Sequence, residues 1–164
     1  MKYFFTSDYH FFHTNIIKYE NRPFKNVEEM NETIIKKHNE RVKEEDLVYF
    51  LGDWGFYASK TRAFRGEGMP VRIDDLQKQL NGSHYSVRKN HDKSQNKLNI
   101  STHRMILNKG GLYIDLVHKV EDAVIYDYSY YYPLIICGHA HGKWQTKEVE
   151  KDGYVSLAIN VSRK

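Results

Sequence analysis

The 164-residue chain predicts an α/β fold with crossover connections, and two observations lead there. Short runs rich in aromatic and β-branched residues alternate with amphipathic or polar stretches. The runs also close on polar clusters, in order Asp8-Tyr9-His10, Gly52-Asp53, Asn90-His91-Asp92, His118 and Gly138-His139-Ala140-His141. Ligands of such sheets gather beyond the carboxyl ends of the strands. Neighbouring strands would therefore carry every cluster to one edge.

The elements follow in order. Residues 2–7 read as a buried strand closing on Asp8. Residues 27–42 predict a helix, because Val27, Met30, Ile34, Ile35, His38 and Val42 share a face, and Asn26 with Glu29 resembles a capping box. Residues 46–51 predict a second strand, and a short helix over 73–80 leads to a third at 83–88. Further strands are expected at 111–118, 133–137 and 153–161, with a hairpin near 144–155. His38, His84 and His103 fit no polar cluster and read as structural.

No repeat, linker or low-complexity tract divides the chain, so one domain is expected over residues 1–164. No run approaches the ~18 apolar residues of a membrane helix, and Met1–Phe5 meets Thr6-Ser7-Asp8 too early for a signal peptide. The lone cysteine, Cys137, excludes an internal disulfide and reads as a small buried apolar residue at a strand end. A cytoplasmic protein without membrane contact is the expectation. The net charge of +4 leans weakly toward phosphate-bearing partners. Residues 55–72 carry Lys60, Arg62, Arg65 and Arg72 among glycines, either a substrate grip or a solvated insertion. The tyrosine run at 126–132 fits an aromatic surface loop or an oligomer contact at least as well as base stacking.

Asp8, His10, Asp53, Asn90, His118, His139 and His141 set hard oxygens beside imidazole nitrogens. That mixture suits manganese, iron or zinc better than calcium, and the lack of thiolates argues against a structural zinc knot. Seven ligands exceed the needs of one ion. A carboxylate bridging two ions accounts for the excess, and Asp53, on a central strand, is the natural bridge. Two ions ~3.5–4 Å apart polarise a phosphoryl group and hold a hydroxide nucleophile at neutral pH.

The five blocks together resemble the signature of calcineurin-like metallophosphoesterases, over residues 7 to about 161. The resemblance implies a four-layer α-β-β-α sandwich, two mixed sheets face to face with helices outside, of the compact kind found in bacteria, archaea and phages. It implies one ion on Asp8, His10, Asp53 and His141, and another on Asp53, Asn90, His118 and His139. Manganese leads the expected metals, with iron, zinc, nickel and magnesium as others. It gives His91 the role of stabilising or protonating the leaving oxygen, with Asp92 orienting the ring and a metal-bridging hydroxide attacking in line.

Two further stretches, His13–Ile17 and Asn21–Phe24, resemble a subgroup with a longer first block. Arg22 and His13 are candidate substrate contacts there, Arg22 through a fork suited to phosphate. The alternatives are a surface salt bridge for Arg22 and a helix-start residue or a support behind the ligands for His13. Lys89 stands where the family has glycine, and either strains the turn or adds charge near the phosphate. The implied activity is hydrolysis of a phosphodiester or phosphomonoester. A nuclease acting on nucleic acid and a non-catalytic metal-binding scaffold, such as the retromer scaffold subunit, are the alternatives. Neither a Gly-x-Ser-x-Gly elbow nor a Walker phosphate loop is present.

Overall fold

The computed structural model describes residues 1–55, 73–87, 101–125 and 132–162. The Lys89–Asp92 block, nearly all of the basic 55–72 loop and all of the 126–132 tyrosine run except Tyr132 lie outside them. Strand β1 (Tyr3–Thr6) leads through α1 (Thr14–Tyr19) and α2 (Val27–Asn39) to β2 (Leu47–Phe50). Helix α3 (Ile73–Gln77) then connects to β3 (Ser83–Val87), and β4 (Ser101–Thr102) follows. These four strands form one sheet in the order β1-β2-β3-β4, parallel throughout. The alternation of strand and helix was thus a sound guide to crossover topology.

The second sheet contains β5 (Arg104–Lys109), β6 (Leu112–Val117), β7 (Leu134–Cys137), β8 (Thr146–Lys151) and β9 (Tyr154–Asn160). Its order is β5-β6-β7-β9-β8, with antiparallel hairpins at both ends and parallel pairs between. The expected hairpin near 144–155 is β8–β9. Strand β5 and helix α1 were not expected.

The sheets pack face to face through Tyr49, Leu51, Val87, Ile114, Leu116 and Ile136. Outside the first sheet, Ile34 and Ile35 of α2 with Leu76 and Leu80 cover Phe11, Phe50 and Trp54. Outside the second, Val120, Ala123 and Ile125 cover Ile135, Cys137 and Ala158. Among the described residues that outer layer is a 3₁₀ turn (Val120–Asp122) with extended chain rather than a helix. Asp115, fully buried, joins this segment to the sheet by accepting from Arg104 Nε at 2.6 Å and from Val124 N at 2.9 Å. Cys137 is buried as expected, and burial pushes its thiol up to about 12.

Helix α2 begins where Asn26 Oδ1 accepts from Glu29 N at 2.8 Å, a cap worth about 1 kcal/mol. Glu29 reaches back to Lys25 N rather than to the cap's own amide, so the box closes one residue early. No helix among the described residues is long and apolar enough to cross a membrane.

Candidate metal centre

Beyond β1 and β2 the chain does not diverge. Asp8 N donates to Gly52 O at 3.0 Å, His10 N to Asp53 O at 3.1 Å and Phe11 N to Trp54 O at 2.9 Å. The two polar clusters are therefore zipped side by side. The loop after β7 joins them when His139 N donates to Asp8 Oδ2 at 2.9 Å, and Ser7 Oγ donates to the same oxygen. His141 N donates to Ser162 Oγ at 2.8 Å, and that hydroxyl donates to Asn160 Oδ1.

The backbone is unusual here. Asp8, His10, Asp53, His139 and His141 all have positive φ, between 43° and 67°. This left-handed region costs an L-residue roughly 1–2 kcal/mol, and such strain concentrates at functional sites. Two glycines make room. A Cβ on Gly52, itself at φ +92°, would stand 2.5 Å from His118 Nδ1, and one on Gly138 would stand 2.7 Å from Asp8 Oδ2.

The side chains gather in two groups, Asp8 with His10 and His141, and Asp53 with His118 and His139. Within each, the candidate ligand atoms lie within 4.8 Å of one another. Asp8 Oδ1 is buried without a hydrogen bond, 3.4 Å from His141 Nε2 and 3.7 Å from His10 Nε2. The two Nε2 atoms are 3.4 Å apart. Donors on an ion at ~2.1 Å stand roughly 3.0–3.4 Å from one another, so these atoms fit a cation between them with little movement. Asp53 Oδ2 lies 3.6 Å from His118 Nε2 and 3.9 Å from His10 Nε2, within reach of both groups.

Protonation agrees with that fit. Burial by itself would raise the Asp8 carboxyl. His10, the charge of His118, and hydrogen bonds from Ser7 and His139 N outweigh it and hold Asp8 at about 2. Burial lowers His141, aided by His10 and opposed by Asp8, which favours the neutral ligating ring. His118 Nδ1 faces Leu51 O at 2.6 Å; a carbonyl only accepts, so Nδ1 carries a proton and Nε2 is the ring atom left to face a cation. Asp8, Asp53 and His118 are buried, whereas His139 is exposed and marks the open side.

The other expected residues fall as follows. Asn90, His91, Asp92 and Lys89 lie outside the described residues. His13 sits at the start of α1, its ring 5.5 Å from that of His10. Arg22 is placed otherwise than expected. It is only 6% exposed, and its guanidinium turns inward, Nη2 donating to Asp8 O at 2.8 Å and Nη1 to Tyr9 O at 2.9 Å. It holds the first loop rather than projecting a fork to solvent, and it is no surface ion pair either. Ser7 and Ser162 were not anticipated; adjacency to Asp8 is the signal for Ser7, and Ser162 carried none.

No family model matches the chain. An uncharacterized protein of Methanocaldococcus jannaschii, MJ1445, is 39% identical over 140 residues, 85% of this chain and 69% of that protein. The chain belongs to the family of MJ1445. Among solved structures, AQ665 of Aquifex aeolicus, a protein of unknown function, superposes with a TM-score of 0.65 at 24% identity, over 99% of this chain and 90% of that one. The chain therefore shares its fold with AQ665. A novel archaeal phosphodiesterase aligns over 98% of this chain and 83% of its own at 17% identity, with a TM-score of 0.46, too slight a likeness to weigh.

Proposed function

We propose that this protein is a calcineurin-like metallophosphoesterase that hydrolyses a phosphodiester or phosphomonoester at a dinuclear site. The observation that carries the proposal is Asp53 Oδ2, set between the Asp8/His10/His141 and Asp53/His118/His139 groups. The division of the last two histidines between the groups is the one the family resemblance implies. The same resemblance implies Asn90 as a further ligand of the second group.

Two divalent cations, manganese foremost, would supply Lewis-acid polarisation of the phosphoryl oxygens and an activated water. The chain's own part is to keep Asp8 ionised, to keep His141 neutral, and to fix the His118 tautomer through Leu51 O. The ester enters on the side where His139 is exposed. The family resemblance gives His91 the part of general acid at the leaving oxygen, with Asp92 orienting its ring, a role worth ~10²–10⁴-fold.

The test is a manganese-supplemented screen of an aryl phosphodiester, the matching monoester, cyclic nucleotides and single-stranded nucleic acid. Turnover abolished by a chelator and restored by manganese is expected. Failure to turn over any of these with both cations bound would leave a metal-binding scaffold instead. His91→Ala should then slow turnover while leaving metal content unchanged.

A further inference from the structure

Behind the first metal loop lies a cavity of about 500 Å³ between β1, α2 and the Arg22–Phe24 segment. That volume is in the range of small-molecule sites. Its walls include Phe4, Phe24, Ile34 and Val48, and its cations are Arg22, Lys37 and Arg41. The only carboxylate among its described lining residues is Asp8, which is already engaged by Ser7 Oγ and His139 N. Positive charge is therefore unbalanced in a half-apolar chamber.

Arg22 supplies a second, independent sign. It is 6% exposed, its two Nη groups are taken by the Asp8 and Tyr9 carbonyls, and its Nε–H is a buried donor without a hydrogen-bond partner. A buried unmet donor costs stability unless something accepts from it. Lys37, in the last turn of α2, and Arg41, just past the helix end, are both exposed, so they sit at the mouth while Arg22 sits at depth.

We propose that this cavity binds a planar organic anion, its acidic group between Arg22, Lys37 and Arg41 and its apolar body against Phe4, Phe24 and Ile34. An aryl carboxylate, sulfonate or phosphate monoester has this chemistry. Asp8 lines the cavity and His139 does not, so we assign its occupant as an effector beside the metal loop and not the ester being cleaved. Because Arg22 also grips the Asp8 and Tyr9 carbonyls, an anion on the guanidinium bears on the loop that carries Asp8 and His10. Occupancy and cation affinity are then coupled, each altering the other by the same factor. Only this coupling rests on the metal reading given above.

The probe is 2-naphthalenesulfonate, which is not hydrolysable, titrated by fluorescence into the chelator-treated protein. Saturable one-to-one binding is expected, displaced neither by sulfate, which lacks the ring, nor by 2-naphthol, which lacks the charge, at the same concentration. The Lys37→Ala/Arg41→Ala double variant, which changes only exposed side chains, should bind about tenfold or more weakly. Ile34→Trp should abolish binding by filling the chamber. Absence of saturable binding, equal competition by 2-naphthol, or unchanged affinity in the double variant would overturn the proposal. With the probe bound, manganese affinity should shift; binding without any shift overturns the coupling. A protein that takes the probe yet binds no manganese at all refutes the metal reading and not the anion site.

Discussion

Asp53 Oδ2 faces His118 Nε2 across 3.6 Å, and the proton on His118 is held away from that gap by Leu51 O. A carboxylate oxygen and an imidazole nitrogen set at this distance are an arrangement that a cation fits. Since the same oxygen also faces His10 Nε2, Asp53→Ala should empty both cation positions, read as metal content after dialysis. Retention of two ions by that variant would remove the bridge.

Gly52 sets the His118 ring. Gly52→Ala would combine a φ of +92° with a Cβ 2.5 Å from Nδ1, so the ring must leave Leu51 O. We expect a stability loss of about 2–4 kcal/mol and loss of the Asp53/His118/His139 ion ahead of the other. Gly111→Ala is the control: its φ is +89°, but nothing lies within 4 Å of the added carbon. Equal losses in the two variants, with both ions kept, would mean that only backbone strain matters.

Arg22→Lys cannot span two carbonyls. The variant should lower unfolding stability by about 2–3 kcal/mol, the worth of a charged hydrogen bond in a buried place, with metal content falling alongside. A raised KM at unchanged stability would instead restore Arg22 to the substrate role that its position in the sequence suggested.

His38 and His84 stack with ring centroids 5.4 Å apart behind the first sheet. Burial, with the charge of His38, lowers His84 to about 4, and burial lowers His38 as well. Between pH 6.5 and about 4 the unfolded chain therefore binds more protons than the folded one, so stability rises with pH across that window. It should fall by roughly 3 kcal/mol on acidification through it, as read by denaturant midpoints. His84→Phe should flatten the slope; an unaltered slope would assign the acid sensitivity elsewhere.

Much of this was legible because chemistry and topology coincide in the sequence. The His139-x-His141 pair follows an apolar strand, and Gly52-Asp53 follows another, so residue type marks the site and periodicity marks the scaffold. Strand β5 was not legible: Arg104–Lys109 has no clean alternation, because its edge position leaves Ile106 45% exposed. The Gly110-Gly111 pair, both at positive φ, is the hairpin signal that locates it. Helix α1 lacks a side-chain cap and spans six residues, too short for a period to register. The inward turn of Arg22 could not be read at all, since its partners are carbonyls that every residue possesses.

The ladder from Asp8–Gly52 to Phe11–Trp54 has a consequence for how the protein would acquire the proposed metal. Loops tied by amide bonds to one another, and by Arg22 to the chain beyond α1, should exchange their amide hydrogens nearly as slowly as the sheet that precedes them. On the proposed reading, the Asp8–His10 and Asp53 loops would be set before a cation arrives. Loading would then need no refolding of these loops, and chelator-treated protein should take up added manganese without a slow phase.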